Sequence, residues 1–210
     1  MKKKPLIIVG EIILVAGLTF LSWPISSIGI TWVRLALVAL LNLVIGISGF
    51  AAAGISNIDV DFEWRSWKQY LIGIGICLLL SLAIAWLPAM FGCSLVGTHE
   101  DLVGWKFAYN LFNYILIIGP AEEMVFRIYF EKSLIALFDG RRWAGIIASS
   151  ALFGFWHLIN GSWVQVAFTF AIGCVFGFAK EYIKDFHYPG IALCHGLYDF
   201  LNYIVRLTIL

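Results

Sequence analysis

Three short runs of the sequence place carboxylates and imidazoles among apolar residues. They are EEMVFR at 122–127, FGFWH at 153–157 and HGLYD at 195–199. An ionisable side chain at the centre of a membrane-spanning helix costs about 2.5–3.5 kcal/mol, so such residues mark a functional site or a specific partner. Carboxylates and imidazoles are the usual general bases and acids near neutral pH. We therefore expect acid–base chemistry, such as activation of a water, at these runs.

In the first run, Glu123 and Arg127 are four residues apart. They share a helix face and are predicted to form an ion pair. Glu122 points about 100° away around the helix and has no local partner. A carboxylate left unpaired in an apolar site is suited to act as a general base. The alternative is an ion pair between Glu122 and a distant cation, such as Arg34.

The two other runs each supply a histidine. A lone histidine among aromatic residues is more often a core residue than a catalytic one, and Phe153 lies one turn before His157 and is placed to pack on its ring. His195 and Asp199 are four apart and project from one helix face. A hydrogen bond within the helix, or close helix packing at Gly196, are the alternative interpretations of that run. The remaining histidines, His99 and His187, fall in predicted loops and are treated as non-catalytic.

The composition indicates the elements that must position these residues. Of 210 residues, 61% are hydrophobic and 13% are charged, whereas soluble domains are roughly 25% charged. We predict an all-α, polytopic transmembrane helix bundle forming a single membrane domain over 1–210. A helix needs about 20 apolar residues to cross a bilayer. Seven segments approach that length: 6–23, 28–53, 70–91, 107–138, 143–160, 162–180 and 189–209.

The fourth segment contains Gly119-Pro120, so it is predicted to be kinked or divided, which makes eight spans the alternative count. The first segment is predicted to be an uncleaved helix. Basic residues, including Lys2, Lys3 and Lys4, concentrate on one side, which predicts a cytoplasmic N-terminus. A net charge of +1 gives no reason to expect nucleic acid as a partner.

The three runs resemble the motifs of a known family. EEMVFR resembles the EExxxR motif of the CPBP family, which includes type II CAAX prenyl endopeptidases and Abi-type bacterial membrane proteins. FGFWH resembles its FxxxH motif, and HGLYD its HxxxN or HxxxD motif. The order matches, and the resemblance covers about 105–205, which would be the catalytic core.

The resemblance implies an intramembrane endopeptidase of a bacterial cell membrane. Glu122 with His157 would activate a water, and His195 with Asp199 would form the oxyanion side. Glu123, Arg127 and Phe153 would support the site. An ionised Asp199 cannot donate a hydrogen bond. Asp199 is therefore either protonated in its buried site, or it orients His195 and leaves the oxyanion to another donor, and we favour orientation. The partners implied are membrane lipid and a prenylated or leader-type peptide.

The sequence allows alternatives for a bound metal and for the function. If a metal such as zinc is bound, Glu122, His157 and His195 are its expected ligands, but the sequence has no HExxH motif, and no cofactor is certain. A non-catalytic bacteriocin-immunity or regulatory membrane partner is the alternative function. A proton-coupled transporter is less favoured because the chain is short and carries no internal repeat. No sequence feature indicates an oligomeric state.

Overall fold

The computed structural model describes residues 4–159 and 161–208, and this part of the chain is helical with no strand. A short 3₁₀ turn, His157–Ile159, follows the fifth of the long helices. Those described residues form seven long helices: α1 Pro5–Ser26, α2 Thr31–Ile55, α3 Trp67–Met90, α4 104–137, α5 Arg142–Trp156, α6 Trp163–Tyr182 and α7 Tyr188–Thr208.

The predicted all-α class is confirmed, and each predicted segment corresponds to one helix. The fifth differs most, because the α-helix ends at Trp156 rather than at 160. Residues 160 and 209, two of the predicted ends, lie outside the described residues, as do Lys2 and Lys3. The fourth segment is not divided, because helical geometry continues from Gly104 to Leu137.

Four of the helices are long and apolar enough to cross a membrane: α1, α2, α3 and α6. They carry large apolar side chains on their outer faces, for example Leu6, Ile47, Leu79 and Val164, each more than half exposed in the isolated chain. Acyl chains, rather than water, are the environment that such surfaces require. The protein is an integral membrane protein, and the total of seven spans stays a prediction for α4, α5 and α7.

Helix α4 forms the centre of the bundle. It packs against α2 on one side, α7 on another, and α5 near its C-terminal end. Two π-helical turns, Tyr114–Ile118 and Met124–Phe130, flank the stretch Gly119–Glu123. Pro120 has no N–H to offer to the preceding turn, and wider winding accommodates it without ending the helix. The glutamate pair thus lies between two irregular turns of one continuous helix.

Glycines let α7 approach α4 closely. A Cβ added to Gly119 would lie 2.6 Å from the carbonyl oxygen of Ala192 and 2.7 Å from the amide nitrogen of Gly196. A Cβ on Gly196 would lie 2.5 Å from the carbonyl oxygen of Tyr114. Small residues at such crossings are the usual means by which membrane helices bring their backbones together. The packing role considered for Gly196 is confirmed, and it coexists with the polar contacts described below.

Outside the bundle core, polar contacts of Asp61 connect the loop after α2 to the start of α7. His187 Nδ1 donates to Asp61 Oδ1 at 2.9 Å, and Lys180 Nζ lies 3.3 Å from Asp61 Oδ2. Partial burial by itself raises the pKa of Asp61, but the His187 hydrogen bond and the Lys180 charge outweigh burial and hold that pKa below its ordinary value. His187 therefore lies in a loop, as predicted, and its partner Asp61 gives it a structural role.

We expect Gly119→Ala to lower the midpoint of thermal unfolding in detergent, because the new methyl group overpacks the α4–α7 contact by about 1–3 kcal/mol. The matched control is Gly10→Ala in α1, where an added Cβ meets nothing within 4 Å. That control should be neutral or stabilised by up to about 1 kcal/mol from helix propensity. Equal midpoints for the two variants would contradict the close contact.

Candidate active site

A fully buried carboxylate, Glu123, links α4 to α7. His195 Nδ1 donates to Glu123 Oε1 at 2.7 Å. The other oxygen, Oε2, lies 3.4 Å from Arg127 Nε, and neither Glu123 nor Arg127 is exposed at all. The predicted Glu123–Arg127 ion pair is confirmed. Since buried charges are tolerated only when they are paired, this arrangement fixes the ring plane of His195 relative to α4.

The neighbouring carboxylate, Glu122, is buried but has far weaker contacts. Its Oε2 accepts no hydrogen bond from the described residues, and the nearest cationic partner is His195 Nε2 at 3.7 Å. The alternative partner, Arg34, forms no ion pair with Glu122 within the described part of the chain. An unsatisfied buried carboxylate oxygen requires an explanation. Glu122 lines the adjoining cavity, from which a water or a substrate group could reach this oxygen.

The ring of Phe153 brings the two histidines together. Its centroid lies 4.8 Å from that of His157 and 5.7 Å from that of His195, with edge-to-face geometry in both cases. The guanidinium carbon of Arg127 lies 4.8 Å from the same ring centroid, which is a cation–π distance. The predicted packing of Phe153 on His157 is confirmed, and one aromatic ring positions side chains from α4, α7 and the end of α5.

His157 is oriented by its own helix. Its Nδ1 lies 2.8 Å from the carbonyl oxygen of Phe153. A carbonyl can only accept, so Nδ1 must carry the proton, and in the neutral ring Nε2 is left as an acceptor. His157 lines the cavity that Glu122 also lines. In this tautomer, Nε2 can accept a hydrogen bond from a water molecule.

The cavity has a volume of about 560 Å³ and extends from Glu122 and His157 along α7. Asp199 lines it, and Asp199 Oδ2 lies 3.5 Å from His195 Nε2. The predicted His195–Asp199 contact is present, but the shorter bond to the ring comes from Glu123. Glu123 therefore orients the ring of His195 more strongly than Asp199 does.

The predicted zinc ligands do not converge. Within 4–159 and 161–208, no three His, Cys, Asp or Glu side chains are placed to hold one metal ion. Both ring nitrogens of His195 face carboxylates, Nδ1 that of Glu123 and Nε2 those of Glu122 and Asp199. A zinc–nitrogen bond requires about 2.0–2.1 Å and a free lone pair. The described arrangement of Glu122, His157 and His195 therefore does not fit a zinc site.

Several cavity residues were not predicted as part of the site. Asn202 and Arg206 line the same cavity, as do residues 94–97 of the segment between α3 and α4. The spacing of Asn202 and Arg206 from Asp199, three and seven residues, places all three on one helix face and could have indicated them. The segment 94–97 carries no comparable signal, because its position depends on a long-range contact.

One family model matches this part of the chain. Residues 104–201 match the family described as Type II CAAX prenyl endopeptidase Rce1-like. The matched region contains all three motifs and nearly the whole of the predicted catalytic core. No curated protein and no solved structure gives a match to the chain.

The described site combines buried carboxylates and imidazoles around one cavity. The family match confirms the resemblance that the three motifs carry, and it indicates a CAAX-type protease, an intramembrane endopeptidase. The arrangement of Glu122, His157 and His195 is compatible with that class.

We expect Glu123→Gln and Glu122→Gln to differ in stability. Removing the Glu123 charge leaves Arg127 buried and unpaired, which costs about 3–5 kcal/mol. Glu122→Gln removes no hydrogen bond at Oε2, so its free energy of unfolding should change by less than about 1 kcal/mol. Thermal unfolding of the purified variants in one detergent measures both. A Glu122→Gln variant as unstable as Glu123→Gln would show that Glu122 is a structural residue.

Proposed function

We propose that the protein hydrolyses a peptide bond of a membrane-associated peptide, with Glu122 and His157 activating the attacking water. The observation that carries this proposal is the Glu122 carboxylate, which is buried, lacks a hydrogen-bond donor at Oε2 and lines the same cavity as His157. A water between these two acceptors can donate one hydrogen to each. Its oxygen is then free to attack a carbonyl carbon.

The proton balance follows from that placement. As the water oxygen bonds to the carbonyl carbon, one water proton passes to Glu122, and the carbonyl oxygen becomes an oxyanion. Glu122 then returns the proton to the leaving nitrogen as the carbon–nitrogen bond breaks. A single carboxylate therefore serves as base and then as acid, and it is regenerated unchanged.

His195 is the donor proposed for the oxyanion. Because Glu123 accepts from Nδ1, the imidazolium form presents Nε2–H on the side of Glu122 and Asp199. Donors preorganised towards a developing oxyanion are worth about 2.7–4 kcal/mol each. Asp199, as a carboxylate beside that nitrogen, supports the positive ring, and Arg127 acts only through Glu123.

The substrate is proposed to be a prenylated or leader-type peptide that reaches the cavity from the membrane. The cavity wall combines apolar side chains, such as Ile118, Phe168 and Ile172, with the polar groups of α7. An extended peptide offers N–H groups to that polar face and apolar side chains to the opposite wall. A non-catalytic immunity or regulatory role would not require a buried Glu122 whose Oε2 lacks a hydrogen-bond donor.

We expect detergent-purified protein to cleave a fluorogenic, farnesylated CAAX-type peptide and Glu122→Gln to reduce the rate at least about 10³-fold, since the variant has no general base. His157→Ala should reduce the rate about 10²–10⁴-fold. Each variant is compared at matched folded concentration. Near-wild-type cleavage by Glu122→Gln would overturn the assignment, and a wild-type protein without activity on any peptide would favour the immunity or regulatory role.

We also expect hydrolysis to persist when a chelator such as EDTA is present, because the acid–base groups act without a metal in this arrangement. The same fluorogenic assay measures the rate of hydrolysis without the chelator and then with it. Loss of activity that zinc restores would show that Glu122, His157 and His195 rearrange into a metal site.

A further inference from the structure

A third glutamate lies on α4 beyond the candidate catalytic residues. Glu131 follows Arg127 by four residues, as Arg127 follows Glu123, so carboxylate, guanidinium and carboxylate succeed one another along the helix. Glu131 is only 1% exposed, and among the described residues it does not line the cavity of Glu122 and His157. A carboxylate buried this completely requires a cation or several hydrogen bonds. None of the roles proposed above uses it.

The backbone of α6 packs directly on the Glu131 side chain. A Cβ added to Gly177 would lie 2.6 Å from Glu131 Oε2. One turn earlier, a Cβ added to Gly173 would lie 3.1 Å from Phe153 Cδ1, an atom of the ring on which the Arg127 guanidinium stacks. Two glycines of α6 thus leave the space that the carboxylate and the aromatic ring occupy. Glu131 and the Arg127–Phe153 pair therefore face the same side of α6.

The Arg127 guanidinium has donors without acceptors. The ion pair with Glu123 is made at Nε, which lies 3.4 Å from Glu123 Oε2. The Nη1 and Nη2 atoms donate to no acceptor among the described residues, although the side chain is fully buried. Because a buried donor without an acceptor is costly, the Nη side of the guanidinium requires a partner.

Glu131 is the carboxylate that meets this requirement. Its Oε2 accepts no hydrogen bond from the described residues. Arg127 and Lys180 are cations close enough to act on Glu131, and Lys180 is already bound to Asp61 at 3.3 Å. In a buried site, opposite charges attract strongly even beyond contact distance. A water bound between Arg127 and Glu131, or a small rotation of either side chain, would complete the hydrogen bond.

We propose that Glu131 is a further positioning residue, which holds the Nη side of the Arg127 guanidinium and so keeps Arg127 on Glu123 and Glu123 on His195. The inference rests on the proposed function for its effect on catalysis. A guanidinium attracted by two carboxylates is restrained, because movement towards one is opposed by the other. The His195 ring then keeps one direction. Glu131 touches neither peptide nor attacking water, so it acts through Arg127.

The first test is independent of cleavage. Protein isotopically labelled at the histidine ring nitrogens is studied by NMR in detergent, and the signals of His195 are identified by their loss in His195→Asn. Glu131→Gln removes the charge and retains the size of the side chain. Glu181→Gln is the matched control, because Glu181 is a carboxylate of α6 that pairs at 3.6 Å with the exposed Arg142.

Glu131→Gln should shift or broaden the Nδ1 signal of His195, because Arg127 is then free to move relative to Glu123. The signals of His99, a half-exposed loop residue, should stay unchanged. Glu181→Gln should alter neither histidine. A wild-type His195 signal in folded Glu131→Gln would overturn the proposal.

The second test separates positioning from a general loss of structure. At matched folded concentration, Glu131→Gln should lower kcat for the farnesylated peptide about tenfold to hundredfold, and KM should change by less than about twofold, since the cavity wall is intact. Glu131→Asp retains the charge and should recover part of the lost kcat. Glu181→Gln should match wild type. An equal loss of kcat in Glu181→Gln, or a raised KM with unchanged kcat in Glu131→Gln, would contradict a positioning role.

Gly177→Ala tests the same contact if Glu131→Gln does not fold. It retains every charge, but its methyl group would lie 2.6 Å from Glu131 Oε2 and must displace the carboxylate. It should change the His195 signal and lower kcat, as Glu131→Gln does. Gly75→Ala, where an added Cβ meets nothing within 4 Å, should change neither. An unaltered His195 signal in Gly177→Ala would also count against the proposal.

Failure of the proposed function gives a different pattern of results. The His195 signal would still depend on Glu131, while Glu122→Gln retains hydrolysis or no peptide is cleaved by wild type. Conversely, hydrolysis that requires Glu122 but keeps its full kcat in Glu131→Gln would reject only the role of Glu131.

Discussion

The buried Glu123 carboxylate is the constraint on which the site depends. It bonds to a histidine of α7 at 2.7 Å and pairs with Arg127 on its own helix. A charge removed so completely from solvent is stable only with both partners in place. Its contacts therefore set the register of α7 on α4. They also occupy Arg127, so the cationic partner left to Glu122 among the described residues is His195, whose Nε2 lies 3.7 Å from Glu122 Oε2.

Close backbone packing makes those short bonds possible. Gly119 lies three residues before Glu122, and Gly196 follows His195 directly, so the point of closest helix approach coincides with the polar contacts. A larger residue at either glycine would separate α4 from α7 and lengthen the bond from His195 to Glu123. The irregular turns on each side of Gly119–Glu123 adjust the winding of α4 at the same place. The same contact between α4 and α7 therefore determines both the helix packing and the geometry of the acid–base groups.

Local patterns predicted much of this molecule, and long-range contacts account for the rest. Apolar segment lengths predicted the seven helices, and four-residue spacing predicted the Glu123–Arg127 pair, because both depend on neighbours along the chain. The bond from Glu123 to His195 spans 72 residues and could not be derived from spacing. Likewise residues 94–97 reach the cavity through long-range contacts, such as the hydrogen bond from Arg206 Nη1 to the carbonyl oxygen of Val96. Why the site tolerates Asp199 beside two further carboxylates has no explanation in the sequence pattern.

The size of the cavity has a consequence for the proteins that share the membrane. A helix with its side chains is about 10–12 Å across, so a 10 Å length of it fills roughly 800 Å³ or more. The cavity offers about 560 Å³. An extended peptide strand is narrower than a helix, so the cavity favours an unwound segment over a folded transmembrane helix. If the proposed hydrolysis is correct, neighbouring proteins would be protected by their folded conformation before any difference in sequence is read.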